Sequence, residues 1–231
     1  MDYLSYKKQA DHVIAKNIDN VTRKSAPIVY STMEDIYLGL VRLRNSQAFL
    51  YKDIYGKQIS NEDQRMIDAA IKTIFKKGDV IYDIVFTIIN TMYDFIPERT
   101  QRIISEKFNL IVATYGVQTA TKISVATAIT SLISVKINAV PSVKAKIATF
   151  LNISINSLAI YGIFEKAARS ARKLKIESPV TYLALKKKGL EMLYFLVEPY
   201  MAKLINIYRK NIMTLEDEKL LLDEIERLIY L

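Results

Sequence analysis

Apolar residues recur every three or four positions along most of the chain, interrupted by proline, glycine and short polar caps, which predicts a succession of amphipathic helices. A first segment runs from Tyr3 to Lys24 and stops before Ser25-Ala26-Pro27. The second opens at Ser31-Thr32-Met33-Glu34, where the serine is placed to accept from a free backbone amide and the glutamate to return the bond, and it closes near Tyr55-Gly56. Ser60-Asn61-Glu62-Asp63 caps a third, with Met66, Ala69, Ala70, Ile71 and Ile74 on one face, ending at Lys76-Lys77-Gly78. Asp79 to Ile96 is an apolar run punctuated by Asp79, Asp83 and Asp94. Pro97 starts a helix that extends to about Val135, and Pro141 breaks the pattern. Further helices are predicted over Ser142 to Lys175, Pro179 to about Val197 and Pro199 to about Asn211. Thr214-Leu215-Glu216-Asp217 caps the last, which carries a stripe of Leu220, Leu221, Ile225, Leu228 and Ile229.

No segment keeps a strand's alternation for more than a few residues. Ile123 to Val135, rich in isoleucine, valine, threonine and serine, has a strand's composition, but its length and its lack of flanking turn residues assign it to a helix. The expected fold class is all-α: a single domain over residues 1–231, a bundle of roughly eight helices around a central apolar helical hairpin. Composition agrees, since 231 residues contain only six glycines and five prolines, too few for the turns of an all-β protein.

The hairpin is expected at 108–164. Between Glu106 and Glu165 there is no acidic residue, and the charges from Phe108 to Phe164 are Lys122, Lys136, Lys144 and Lys146. Ile147 to Phe164 is uncharged and approaches the length of a membrane-spanning helix, while Phe108 to Val135 contains one lysine, Lys122, placed mid-helix. Asn138 and Pro141 mark the break. Gly116, Ala120, Ser124 and Ala128 recur every four residues, a ladder of small side chains that admits another helix closely in water or in lipid. Residues Gly116, Ala120, Ser124, Ala128, Ile147 and Phe164 are therefore the candidates for membrane insertion.

A basic segment, 165–188, follows directly. Lys166, Arg169, Arg172, Lys173, Lys175, Lys186, Lys187 and Lys188 face only Glu165 and Glu177, in a chain of net charge +9. These cations are the candidates for binding an anionic surface. The acidic C-terminal helix, 214–231, is placed to shield them. A buried central helix of a soluble bundle shares this apolar composition, and a basic run is often a solvated face. Burial alone, however, gives no reason for two helices and their turn to avoid acids.

Amphipathic helices through Arg102, an acid-free hairpin at Phe108 to Phe164 and basic residues around it resemble the pore-forming domain of colicins and related interbacterial toxins. The resemblance implies a soluble bundle that opens and lets its hairpin enter a bacterial inner membrane. In this chain the hairpin carries Lys122 and is followed by a further stretch to Leu231, where the family places its hairpin near the C-terminus. No residue-level role follows from the resemblance.

Catalytic chemistry has little to build on. The chain has no cysteine, one histidine (His12) and no phosphate-cradling glycine motif. Glu34/Asp35, Glu62/Asp63 and Glu216/Asp217 fall at helix starts, where carboxylates stabilise exposed amides. No catalytic residue, cofactor or metal ligand is expected, and no enzyme. Asp83 and Asp94, on one face of an apolar helix, would act as a low-pH trigger if buried, and as a solvent-facing stripe otherwise. Tyr37, Tyr51 and Tyr55 beside Arg42, Arg44 and Lys52 form a mixture also met on nucleic-acid surfaces, although tyrosine at a bundle border is the commoner use.

The expected function is that of a membrane-active, pore-forming or depolarising module, an interbacterial toxin by resemblance, which inserts the hairpin into an anionic membrane. The alternative is a non-enzymatic binding protein of immunity or adaptor type that docks on an acidic partner protein through its basic face. The N-terminus lacks a basic region followed by an apolar stretch, so synthesis in the cytoplasm without a signal peptide is expected, with export by a signal-independent route left open.

Overall fold

The computed structural model describes residues 61–62, 65, 79–114, 122–151, 157–210 and 212–231. The helices expected over Tyr3–Lys24 and Ser31–Tyr55 lie outside the described residues, as do Gly116 and Ala120; Asn61, Glu62 and Arg65 are helical. Among the described residues every regular element is a helix, so the fold is an all-α bundle. In chain order these are α1 (Val80–Phe95), α2 (Glu98–Thr114), α3 (Lys122–Ala139), α4 (Pro141–Leu151), α5 (Ser157–Glu177), α6 (Pro179–Lys188), a 3-10 helix (Glu191–Leu196), α7 (Glu198–Tyr208) and α8 (Leu215–Ile229).

The backbone divides into two compact units, one of Met1–Ile67 with Asn152–Arg169 and one of Asp68–Leu151 with Ser170–Leu231. In the first, the described part of α5 buries Ile163, Phe164, Ala167 and Ala168, a stripe at helical spacing, and Arg169 Nε donates to Glu165 Oε1 at 2.7 Å one turn away.

The second unit is organised around α1 and α3, which pack on each other. Helix α1 buries Ile84, Val85, Ile88, Ile89 and Met92 completely, and α3 does the same with Val125, Ile129, Ile133 and Ile137, spaced by four. Each such side chain contributes about 1.5–3 kcal/mol on leaving water. The pair is antiparallel, as its polar ends show. Asp79 caps α1, its Oδ1 accepting from the amides of Ile81 (2.9 Å) and Tyr82 (3.2 Å), while its Oδ2 accepts from the amide of Asn138 near the end of α3. At the other end Lys122, the first residue of α3, is ion-paired with Asp94 in the last turn of α1.

Around this pair, α2 and α8 pack on α3, α6 and α7 pack on α1, and α8 also packs on α7. Helix α8 starts with the expected capping box: the Asp217 amide donates to Thr214 Oγ1 at 3.2 Å and the Thr214 amide to Asp217 Oδ2 at 3.1 Å. Of its expected stripe Leu221, Ile225, Leu228 and Ile229 are buried, and Leu220 is exposed.

One boundary differs from the sequence expectation among the described residues. The helix from Pro179 ends at Lys188, because Gly189 takes a left-handed conformation (φ 66°) that stops it. The Gly189 amide donates to the Lys186 carbonyl at 2.9 Å and the Leu190 amide to the Leu185 carbonyl at 3.0 Å, a Schellman closure sealed by buried Leu185 and Leu190. Beyond it, Glu191–Leu196 forms the tighter 3-10 helix, with all six residues buried. The helix expected over Ser142 to Lys175 is described as α4 and α5, with residues 152–156 between them outside the description. The helix expected from Pro97 to about Val135 is described as α2 and α3, with residues 115–121, which precede Lys122, outside the description.

Candidate membrane-contact surfaces

The acid-free stretch is represented by α3, α4 and the ends of its neighbours. No single helix among the described residues is long and apolar enough to cross a membrane; α3 followed by Pro141–Ile147 is, but as a bent pair with 82° at the break. The expected break at Asn138 and Pro141 is therefore present, as a corner. Pro141 removes one amide and the Lys144 amide returns to the Val140 carbonyl at 3.1 Å, so α4 starts afresh in a new direction.

Helix α3 is rich in hydroxyls yet presents little polarity. Ser131 Oγ donates to the Thr127 carbonyl (2.9 Å) and Ser134 Oγ to the Thr130 carbonyl (2.7 Å), so these polar hydrogens are used within the helix. Thr87 and Thr91 of α1 do the same toward Asp83 and Thr87. The buried Thr130 hydroxyl oxygen has no hydrogen-bond partner among the described groups. The solvent side of α3 carries apolar side chains beside Lys136: Ile123 and Val135 are each 66% exposed. Of the small-residue ladder, Ala128 is buried and Ser124 half-buried. Ile147 is half-buried and Phe164 buried.

The basic candidates divide by environment. Arg169 is held by Glu165, and Lys173 Nζ pairs with Glu198 Oε1 at 2.8 Å, whose hydrogen bond and charge raise the lysine's pKa above its ordinary value. Lys166 and Arg172 are half-buried. Lys186 lies over the Tyr182 ring at 5.9 Å and Lys188 over the Phe86 ring at 5.4 Å, contacts that leave their charge unneutralised. Lys175 and Lys187 are exposed and have no ion pair among the described residues. The segment thus presents a net cationic face.

The acidic helix does not shield that face. Its carboxylates go elsewhere: Glu218 accepts from Thr100 at 2.6 Å, Glu226 pairs with Lys107 at 2.7 Å, Asp217 with Lys210, and the buried Glu224 with Lys203 at 2.9 Å and with Arg227. Helix α8 fastens itself to α2, α7 and the chain before its own cap, and so closes over α3. The aspartates of α1 are likewise occupied at the surface: Asp79 caps, Asp94 is exposed and paired with Lys122, and Asp83 is half-exposed.

Sequence reasoning missed a row of exposed aliphatic side chains within the basic segment. Ile176, Val180 and Leu183, four and three residues apart, are 81%, 43% and 53% exposed. The signal was present, since the stripe of Thr181, Tyr182 and Leu185 that α6 buries leaves Val180 and Leu183 on its opposite side. A cavity of about 370 Å³ between α1, α2 and the start of α3 is lined by Tyr93, Glu98, Gln101, Arg102, Ser105 and Lys122. It holds no nucleophile paired with a base. Comparison with known protein families, with characterised proteins and with solved structures found no match for this chain.

Proposed function

We propose that the chain is a membrane-active helical module that binds anionic bilayers and inserts α3 together with the start of α4, permeabilising the membrane. The observation that carries this reading is the character of α3: no acid, the Ser131 and Ser134 hydroxyls turned back onto its own carbonyls, and apolar Ile123 and Val135 exposed on its solvent side as well as an apolar core side. A helix of a water-soluble bundle ordinarily keeps one polar face, whereas lipid requires a helix whose polar groups are satisfied within itself. Lys122 and Asn138 are held by Asp94 and Asp79, so releasing α1 would free both.

The test is release of an encapsulated dye from phosphatidylglycerol vesicles and from phosphatidylcholine vesicles, with the parent, Ala128→Asp and Ala128→Leu, each checked for a cooperative thermal transition. An aspartate near the middle of α3 costs about 2.5–3.5 kcal/mol in lipid. The expected result is release by the parent and Ala128→Leu from the anionic vesicles, and binding without release by folded Ala128→Asp. Release by folded Ala128→Asp at the parent's rate would sink insertion through α3.

A further inference from the structure

We propose that the folded protein first docks on an anionic bilayer through the outer side of α6 and the end of α5, with Ile176, Val180 and Leu183 entering the headgroup region and Lys175, Lys186 and Lys187 meeting lipid phosphates. This rests on the membrane reading above and names the contact that precedes insertion. Val180 and Leu183 share the outer side of α6, Ile176 stands in the last turn of α5 just before it, and all three are exposed. Exposed aliphatic residues grouped in this way are costly in water unless something covers them. Charge selects the occupant. From Ser170 to Leu190 the sole carboxylate is Glu177, against Arg172, Lys173, Lys175, Lys186, Lys187 and Lys188. On α1, Tyr82 and Phe86 stack at 6.0 Å, half-exposed, with Lys188 at the end of α6 over Phe86. Aliphatic tips among long cationic stems fit the border between headgroup and acyl chain.

Another exposed aliphatic pair, Ile212 (80%) and Leu215 (67%), lies between Arg209 and Lys210 on one side and Glu216, Asp217 and Glu218 on the other, and so has no cationic excess to draw it to an anionic surface. It is the internal control. A protein partner of ordinary affinity needs about 800 Å² of complementary surface. A few exposed aliphatic side chains with unneutralised lysines need only a deformable layer of phosphate.

The experiment compares the parent, the triple variant Ile176→Ser/Val180→Ser/Leu183→Ser and the control Ile212→Ser/Leu215→Ser for sedimentation with phosphatidylglycerol vesicles and for dye release. All five positions are exposed, so folding is retained, as circular dichroism checks. The expected result is at least about tenfold weaker partition for the triple variant and none for the control. The chain has no tryptophan, so Val180→Trp supplies a single indole whose emission shifts to the blue on vesicle binding. Parent-like binding by the triple variant, or an unshifted indole on bound protein, overturns the docking face while leaving pore formation standing. Docking with no dye release by the parent supports this face and removes the pore reading. Absence of parent binding to any vesicle overturns both, in favour of an acidic protein partner.

Discussion

Single residues set the corner on which the docking face depends. Gly189 is left-handed because the chain must reverse after three lysines without exposing Leu185 and Leu190; a Cβ there costs about 1–2 kcal/mol. Gly189→Ala is therefore expected to lower stability by about that amount, read from urea unfolding, whereas Ala184→Gly on the half-exposed side of the same helix costs about 1 kcal/mol for a different reason, backbone entropy. The two are separated by the double variant: additive losses fit independent causes, and a sub-additive loss would show that α6 frays as a unit. On the far side of the corner, Ser178, Thr181 and Tyr208 form a buried hydroxyl chain, with contacts of 2.7 Å and 2.6 Å. Burial raises the Tyr208 phenol's pKa, partly offset by those bonds, so it stays neutral and ties α6 to α7. Tyr208→Phe is expected to cost about 1 kcal/mol in the same urea measurement, since the Thr181 hydroxyl keeps Ser178 as a partner.

At the scale of elements, the pairing of α1 with α3 is the latch that the proposed insertion must open. Its two polar ends are unequal. Asp94 and Lys122 are both partly exposed and contribute no more than about 1 kcal/mol, while Asp79 caps α1 and holds Asn138 as well, so its loss costs about 1–2 kcal/mol. Asp79→Ala should thus destabilise more than Asp94→Asn in thermal unfolding; equal shifts would show that the cap adds nothing. These elements also mark how far the sequence was legible. Starts fixed locally, at Asp79, Pro97, Pro141, Pro179 and Thr214, could be seen because a cap or a proline acts on its own neighbours. The stop at Gly189 was local too, but the run of apolar residues from Met192 to Val197 masked it, since a 3-10 helix buried on every side has no solvent face to reveal its period. The Asp94–Lys122 pair joins positions far apart in the chain, and only the packed α1–α3 interface brings it together. For the same reason the basic segment was legible as charge, whereas the row at Ile176, Val180 and Leu183 emerged only once the buried side of α6 was known.

For the molecule as a whole, the fastening of α8 over α3 makes stability depend on acid. Hydrogen bonds from Lys210 and from Thr214 hold the Asp217 carboxyl down to about 2. At Glu224 burial acts to raise the pKa, but the bonds from Arg227 and Lys203 outweigh it and leave the carboxyl below its ordinary value. Both groups are depressed in the folded state, so their contribution is fully present above the unfolded values of about 4 and is lost as pH falls through the folded ones. Helix α8 is therefore where acid is expected to act, since the carboxyls of Asp217 and Glu224 are held below their ordinary values. The midpoint of thermal unfolding should fall between pH about 4 and about 2, and it should fall less steeply in Asp217→Asn/Glu224→Gln, which has surrendered the same contribution at neutral pH. Parent and variant should accordingly converge at pH about 2 and diverge above pH about 4. Parallel curves across the window would assign the acid response to other carboxylates and remove α8 as the acid-sensitive cover of α3.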